Sequence, residues 1–223
     1  SVVEFLRRLR AAGLDTLPGT AAEILDDEVR SLICPDKLNT EEWLSVMRDA
    51  HEVGFRTTAT MMYGHLEKPK HLARHFIRLR ELQKQTSHTG RSGVFTEFVP
   101  LPFVHMEAPI FLKGKTRKGP TFREAVLVHA VARLVLHPYF HNIQTSWVKM
   151  GPEGVKICLK AGVNDLGGTL MNESITRAAG AVHGQEMSSQ RLEKIIRDTG
   201  LIPRQRTTLY STPDKRKATM FTE

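Results

Sequence analysis

Several residues in this 223-residue chain are spaced as if for chemistry, and most of them fail as hydrolytic or metal sites. His51-Glu52 opens like a helical zinc motif, but Val53-Gly54 follow and no second histidine completes it. His71 and His75 stand four apart on a predicted helix with no carboxylate partner in the sequence around them, and they read as a solvated basic face. Ser146 lacks the Gly-x-Ser-x-Gly elbow of a nucleophilic serine. His105-Met106-Glu107 reads as loop hydrogen bonding rather than a metal pair. Cys34 precedes a proline and Cys158 sits on a predicted helix face, so neither has metal-ligand spacing, and their separation gives no disulfide framework.

A better candidate is Thr60-x-Met62-x-Gly64-x-x-Glu67, which runs off the end of a predicted strand. A glycine there lets the backbone approach a flat ligand, and backbone groups presented edge-on can then read an adenine. Glu67 also has a plain structural use, as the acidic start of the helix opened by Pro69. The other polar residues at predicted strand ends are Thr20 and Glu23, then His105 and Glu107, then Gln144, Ser146 and Lys149, and finally Thr169, Asn172 and Glu173.

The elements that must position these residues repeat one unit: an amphipathic helix, a glycine, and a short apolar or β-branched run. Val2, Phe5, Leu6, Leu9 and Ala12 repeat at helical spacing before Gly13. Asn39 with Glu42, and Thr121 with Glu124, are capping boxes that open two further helices. Pro69 and Pro152 each open another, and the last carries Leu192, Ile195 and Ile196. Gly54, Gly162 and Gly200 follow their helices, where a left-handed residue satisfies the last carbonyls. The runs between are Leu14 to Pro18, Arg56 to Tyr63, Phe95 to Phe103, Asn142 to Val148 and Val163 to Gly167. Alternating βα units imply a parallel sheet, either doubly wound or part of an eight-stranded barrel. The fourth run is polar on one face (Asn142, Gln144, Ser146), whereas a sheet buried on both faces reads as continuous Val/Ile/Leu. No glycine-rich phosphate loop follows any strand. The expectation is therefore the C-terminal part of a TIM-type (βα) barrel, about five βα units, with the N-terminal units missing, since a complete barrel takes about 250 residues. Residues 1–210 should form this partial barrel with its C-terminal extension, and 211–223 a polar, disordered tail.

Composition excludes more than it selects. The chain is 40% hydrophobic and 25% charged, with no apolar run long enough to span a bilayer. A net charge of +8 comes from scattered basic residues, with Lys215-Arg216-Lys217 the one run, so the reading is a solvated basic surface: no nucleic acid, no membrane. A cytoplasmic location is expected, or an organellar one if a presequence precedes Ser1.

Six segments together carry a resemblance. They are Leu17-Pro-Gly-Thr-Ala-Ala-Glu-Ile24, Cys34-Pro-Asp-Lys-Leu-Asn-Thr40, Arg56-Thr-Thr-Ala-Thr-Met-Met-Tyr-Gly-His65, Thr96-Glu-Phe-Val-Pro-Leu-Pro-Phe103, Asn142-Ile-Gln-Thr-Ser-Trp-Val-Lys149 and Asp165-Leu-Gly-Gly-Thr-Leu-Met-Asn-Glu-Ser-Ile175. The Thr60–Glu67 stretch is similar to the Gly-x-Ile-x-Gly-x-x-Glu pattern on the fifth strand of radical S-adenosylmethionine (SAM) enzymes, with Thr60 and Met62 replacing its glycine and isoleucine. In order, over about residues 13 to 210, the segments resemble the radical SAM tyrosine 4-hydroxybenzyl transferases of deazaflavin (FO) biosynthesis.

The resemblance implies a transferase that uses a 4Fe-4S cluster and SAM to generate a deoxyadenosyl radical. It implies that the 4-hydroxybenzyl fragment of L-tyrosine is moved onto 5-amino-6-(D-ribitylamino)uracil. It further implies an electron donor and a partner radical SAM subunit or fused domain that closes the deazaflavin ring. On it, Thr60, Met62, Gly64 and Glu67 form the SAM-adenine region, and Thr20, Glu23, Gln144, Ser146, Asn172 and Glu173 face the substrates. No residue is assigned as catalytic. The family's Cys-x3-Cys-x2-Cys cluster motif is absent, which implies that the cluster ligands lie in an N-terminal part and that this fragment alone is inactive. The competing expectations are a futalosine-type synthase of menaquinone biosynthesis, and a non-catalytic fragment or assembly module.

Overall fold

The computed structural model describes residues 1–88, 93–181, 184 and 186–213. In chain order the elements are α1 (Val2–Ala11), β1 (Thr16–Leu17), α2 (Asp27–Ile33), α3 (Thr40–Val53), β2 (Arg56–Tyr63), α4 (Pro69–His88), β3 (Phe95–Pro102), α5 (Pro109–Leu112), α6 (Phe122–Leu136), β4 (Asn142–Ile143), α7 (Trp147–Lys160), α8 (Ile175–Ala178) and α9 (Ser189–Arg197). The four strands pair in parallel in the order β1-β2-β3-β4. Beyond β4, Gln144 bridges Asp165, so the predicted fifth run joins the sheet through a single residue pair.

The local signals for helix ends hold. Both capping boxes form, Asn39 with Glu42 and Thr121 with Glu124. Gly13, Gly54, Gly162 and Gly200 all have positive φ after their helices. Gly151 breaks α7 (φ 66°, ψ 169°), and Pro152 opens its second segment.

The layering decides between barrel and open sheet. Helix α3 packs on α4, α4 on α6, α6 on α7 and α7 on α9, an unbroken run of neighbours along one face of the sheet. A doubly wound sheet would place helices on both faces. Along β2 burial alternates strictly: Thr57, Ala59, Met61 and Tyr63 are buried against the helices, while Thr58, Thr60 and Met62 stay half-buried on the other side. The β2–β3 register pairs Thr58 with Glu97, Thr60 with Val99 and Met62 with Leu101, so these residues share the lumen face. Ile143 and Thr145 are fully buried while Asn142 and Gln144 are not, which is the predicted two-faced pattern. The result is an α/β partial barrel, helices outside and a lumen of mixed polar and apolar side chains inside.

Three expectations need correction. The fourth run does not continue as strand to Val148: β4 ends at Ile143 and α7 begins at Trp147, whose indole donates to the Gly168 carbonyl (3.1 Å). The first run is strand only at Thr16–Leu17. His71 and His75 are not a solvated face but are buried, and both find partners far off in sequence. His75 Nδ1 accepts from the Leu25 N–H (3.0 Å), and His71 Nε2 lies 3.1 Å from Glu28. Both partners lie on or beside α2, a helix that hydrophobic periodicity did not reveal. The Lys215–Lys217 run and most of the predicted tail lie outside the described residues.

Burial sets a pH dependence. The rings of His51 and His75 are sealed in the helix–sheet layer, His51 edge-on to Phe95, and burial pushes them down from 6.5 to about 4 and about 3. The unfolded chain takes up these protons at a higher pH, so acid favours unfolding. This contribution is complete above pH 6.5 and drains as the pH falls towards 4 and then 3. Urea unfolding across that window should show stability falling with pH. A flat profile there would contradict the burial of neutral histidines.

Candidate functional site

The loop after β1 is the most constrained segment at the strand ends. Ala21 (φ 61°) and Glu23 (φ 44°) are both left-handed without being glycine, a conformation that persists only where the surroundings over-determine it. Those surroundings are explicit. The Gly19 N–H donates to Thr58 Oγ1 (2.8 Å), and Thr60 Oγ1 donates to the Gly19 carbonyl (2.6 Å). Trp43 Nε1 donates to the Thr20 carbonyl (3.0 Å), and the Met62 N–H donates to the Glu23 carbonyl (2.9 Å). Arg30, 3% exposed, donates to the carbonyls of Ala21 (3.2 Å), Ala22 and Leu38 (2.9 Å). The Glu23 side chain pairs with Lys37 at 2.7 Å. Thr20, Glu23, Thr60 and Met62 are thus brought together, as expected of neighbouring strand ends.

Beside them the β2 end forms a stapled turn. Glu67, its side chain 1% exposed, accepts from the N–H groups of Gly64 (2.7 Å) and His65 (2.9 Å), with Arg117 at 3.6 Å. His65 accepts at Nδ1 from the Leu66 N–H (2.8 Å) and donates from Nε2 to the Met62 carbonyl (3.0 Å). Burial pushes the His65 ring down, which keeps it neutral in this role although Glu67 stands near. The carboxylate expected to meet a ligand is therefore spent on the backbone of its own turn. What the turn leaves towards the lumen is the Met62 side chain.

The remaining candidates fall into separate groups. Gln144 Nε2 donates to Glu97 Oε2 (2.8 Å) on the lumen face. Ser146 is the N-cap residue of α7 but makes no side-chain cap bond. Glu173 accepts at Oε1 from the Thr176 N–H (2.9 Å) while its buried Oε2 has no hydrogen-bond partner. Lys149, half-buried, feels Glu173, but burial dominates and pushes its ammonium pKa down. Asn172 is exposed. No hydrogen bond among the described residues joins Asn172 or Glu173 to Gln144 or Ser146. The His105 ring packs edge-on against Phe111 (4.7 Å), a ring contact in place of the expected loop hydrogen bonding.

Sequence reasoning missed Arg30, Arg117 and Glu97. Only Glu97 left a signal, a lone charge inside an otherwise apolar strand. Asp26, Glu28 and His71 place ligand-type atoms within 4.8 Å of one another. Arg74 and Lys70 already supply the positive charge there (3.0 and 2.6 Å) and hold the Glu28 carboxyl at about 2, so this is an ion-pair network. Cys34 and Cys158 are buried and unbonded, on opposite sides of the chain order, and do not form a cluster-ligand set.

This geometry, polar strand ends around a lumen, has relatives. The family model described as "CofH/MqnC C-terminal region" matches residues 92–219. The chain belongs to this family. A 5-amino-6-(D-ribitylamino)uracil–L-tyrosine 4-hydroxyphenyl transferase of Methanopyrus kandleri is 52% identical over 94% of this chain and 55% of its own length. The enzyme of the same name from Methanocaldococcus jannaschii is 48% identical over 94% of this chain and 56% of its own. An FO synthase of Nocardia farcinica is 49% identical over 98% of this chain and 24% of its own. The chain thus spans about half the length of the two transferases and about a quarter of the FO synthase. Among solved structures, methylornithine synthase superposes with a TM-score of 0.62 at 14% identity, covering 91% of this chain and 56% of that one, a likeness of fold.

Gly64 offers a direct check on the turn. Its φ is +95°, and a Cβ there would lie 2.2 Å from Pro120 Cδ and 2.5 Å from its backbone nitrogen. Gly64→Ala should destabilise the protein by about 2–4 kcal/mol, combining left-handed strain with a clash against backbone. Urea unfolding should show a lowered midpoint at unchanged slope, whereas an unchanged midpoint would refute the Pro120 contact.

Proposed function

We propose that this chain is the substrate-facing part of a radical SAM transferase that moves the 4-hydroxybenzyl group of L-tyrosine onto 5-amino-6-(D-ribitylamino)uracil, a step towards a deazaflavin. The observation that carries the reading is the identity of about half of all residues to two transferases named for those two substrates, over nearly the whole chain. The polar residues of the lumen, Thr58, Glu97, Asn142 and Gln144, support it, since a ribityl chain and a uracil need several donors and acceptors in one enclosed space.

Bound SAM, cleaved by a reduced 4Fe-4S cluster, would supply the radical. The cluster does not fit the cysteines of this chain, and its ligands, on this reading, come from the rest of the full-length protein. For SAM the fit is partial: Met62 offers an apolar platform with Thr60 below it, whereas the Gly64 N–H is taken by Glu67 and its Cα packs on Pro120, so Gly64 acts by shaping the turn. Glu67 acts through the turn it staples, as a positioning residue. Gln144 and Ser146 reach the substrates from the lumen wall, Asn172 and Glu173 from the loop after the fifth run, and Thr20 and Glu23 from the rigid β1 loop. The chain's own contribution is to hold both substrates in fixed contact and away from water. An electron donor and a ring-closing radical SAM partner complete the scheme. Residues 1–210 serve as one domain of the parent.

No helix among the described residues is long and apolar enough to cross a membrane. The test is anaerobic reconstitution of the full-length protein with iron, sulfide, a reductant, SAM, tyrosine and the aminouracil. Mass spectrometry should find deoxyadenosine together with a tyrosine-derived benzyl adduct of the uracil. Deoxyadenosine without that adduct, under any substrate order, would reject the transferase reading.

A further inference from the structure

The lumen holds a second built cluster at the end opposite the Glu67 turn. Near the N-terminal ends of β1, β2 and β3 lies a cavity of about 200 Å³, with Thr58, Glu97 and Arg206 on its wall. Residues 206–211, beyond the last helix, turn back to close it. Arg56 donates to the Leu209 carbonyl (2.9 Å), Thr207 and Ser211 bond each other's backbone, and Arg206 forks onto Asp165. Tyr210 is left-handed (φ 61°), stacks under the Arg206 guanidinium at 4.0 Å and donates its hydroxyl to Glu97 Oε2 (2.6 Å). A strained tyrosine is kept where its contacts repay the strain.

Glu97 is the junction. It is 9% exposed, and burial raises its pKa against the lowering by Tyr210, Arg206 and Gln144. The same Oε2 that accepts from the tyrosine hydroxyl also accepts from the Gln144 amide at 2.8 Å. That settles an ambiguity of any glutamine: a carboxylate accepts, so the Nε2 end must face it. Oε1 then points away, towards the backbone of Gly167, where a Cβ would stand 3.0 Å from it. It accepts no hydrogen bond among the described residues.

We propose that Glu97, anchored by Tyr210 and Arg206, is a positioning residue that locks Gln144 with its carbonyl beside Gly167 and away from Glu97, so that this position reads a hydrogen-bond donor, a ring or exocyclic N–H of the pyrimidine substrate. The inference rests on the transferase reading above and deepens it by naming which substrate Gln144 meets. A neutral amide carbonyl suits a neutral N–H, whereas the ammonium of an amino acid is better met by a carboxylate. Without the lock, the amide would rotate freely and offer either polarity.

The experiment uses the full-length enzyme with Glu97→Gln and, as the milder change, Tyr210→Phe. Glu97→Gln keeps volume but lets the two amides pair in either orientation. Glu97→Gln should weaken the aminouracil, in equilibrium dialysis without reductant and in KM, by about tenfold, the value of one oriented hydrogen bond, whereas Tyr210→Phe, which leaves the carboxylate facing Gln144 Nε2, should weaken it less. The KM for tyrosine and the yield of deoxyadenosine per cluster should stay within about twofold, a split that general loosening of the barrel would not produce. Unchanged aminouracil affinity in both variants, or a shift in tyrosine KM instead, overturns the inference while leaving the transferase reading intact. Wild-type enzyme that binds neither substrate overturns both.

Discussion

The strand ends depend on one buried cation. Among the described residues Arg30 has no carboxylate in contact; its guanidinium is spent on the carbonyls of Ala21, Ala22 and Leu38. Buried carbonyls without donors are costly, and a loop with two left-handed non-glycine residues cannot satisfy them by regular pairing. Arg30 supplies the missing donors from α2, and the Asp26 N-cap fixes that helix in place. Once the loop is held, its remaining groups fall to Thr58, Thr60 and Met62 on β2. The end of one strand is thereby built onto the end of the next.

The same economy explains Glu67. A carboxylate at a turn between strand and helix can serve the ligand or the backbone, and here two N–H groups claim it. The turn becomes rigid, and rigid support is what residues that meet a ligand require from those that never touch it. The lumen is then organised from both ends: stapled turns at the C-terminal ends of the strands, and at the other end a returning segment that plugs the sheet through Glu97 and Asp165. Gln144 lies between, its polarity set from below.

Much of the architecture was legible in local chemistry. Capping boxes, post-helix glycines and the alternation along Asn142–Trp147 depend on residues a few positions apart, so they are written in short stretches of sequence. They gave the order of helices and strands, and the two-faced strand chose a barrel over a doubly wound sheet. The family segments further pointed to the substrates proposed above. The misreadings share a cause. Trp147 looked like a strand residue because its indole partner, the Gly168 carbonyl, is distant in sequence. His71 and His75 looked solvent-facing because the groups that bury them come from the segment around α2.

The sequence by itself therefore determined the class of fold, the positions of its helix ends and the set of polar residues at the strand ends. Only the tertiary structure decided what each polar group does. Glu67 serves its own turn, Arg30 holds a loop through carbonyls, and Gln144 is oriented by Glu97 and a tyrosine from the far end of the chain. Periodicity is fixed by neighbours along the chain, whereas the partner of a buried donor or acceptor is fixed by what packing brings within about 3 Å.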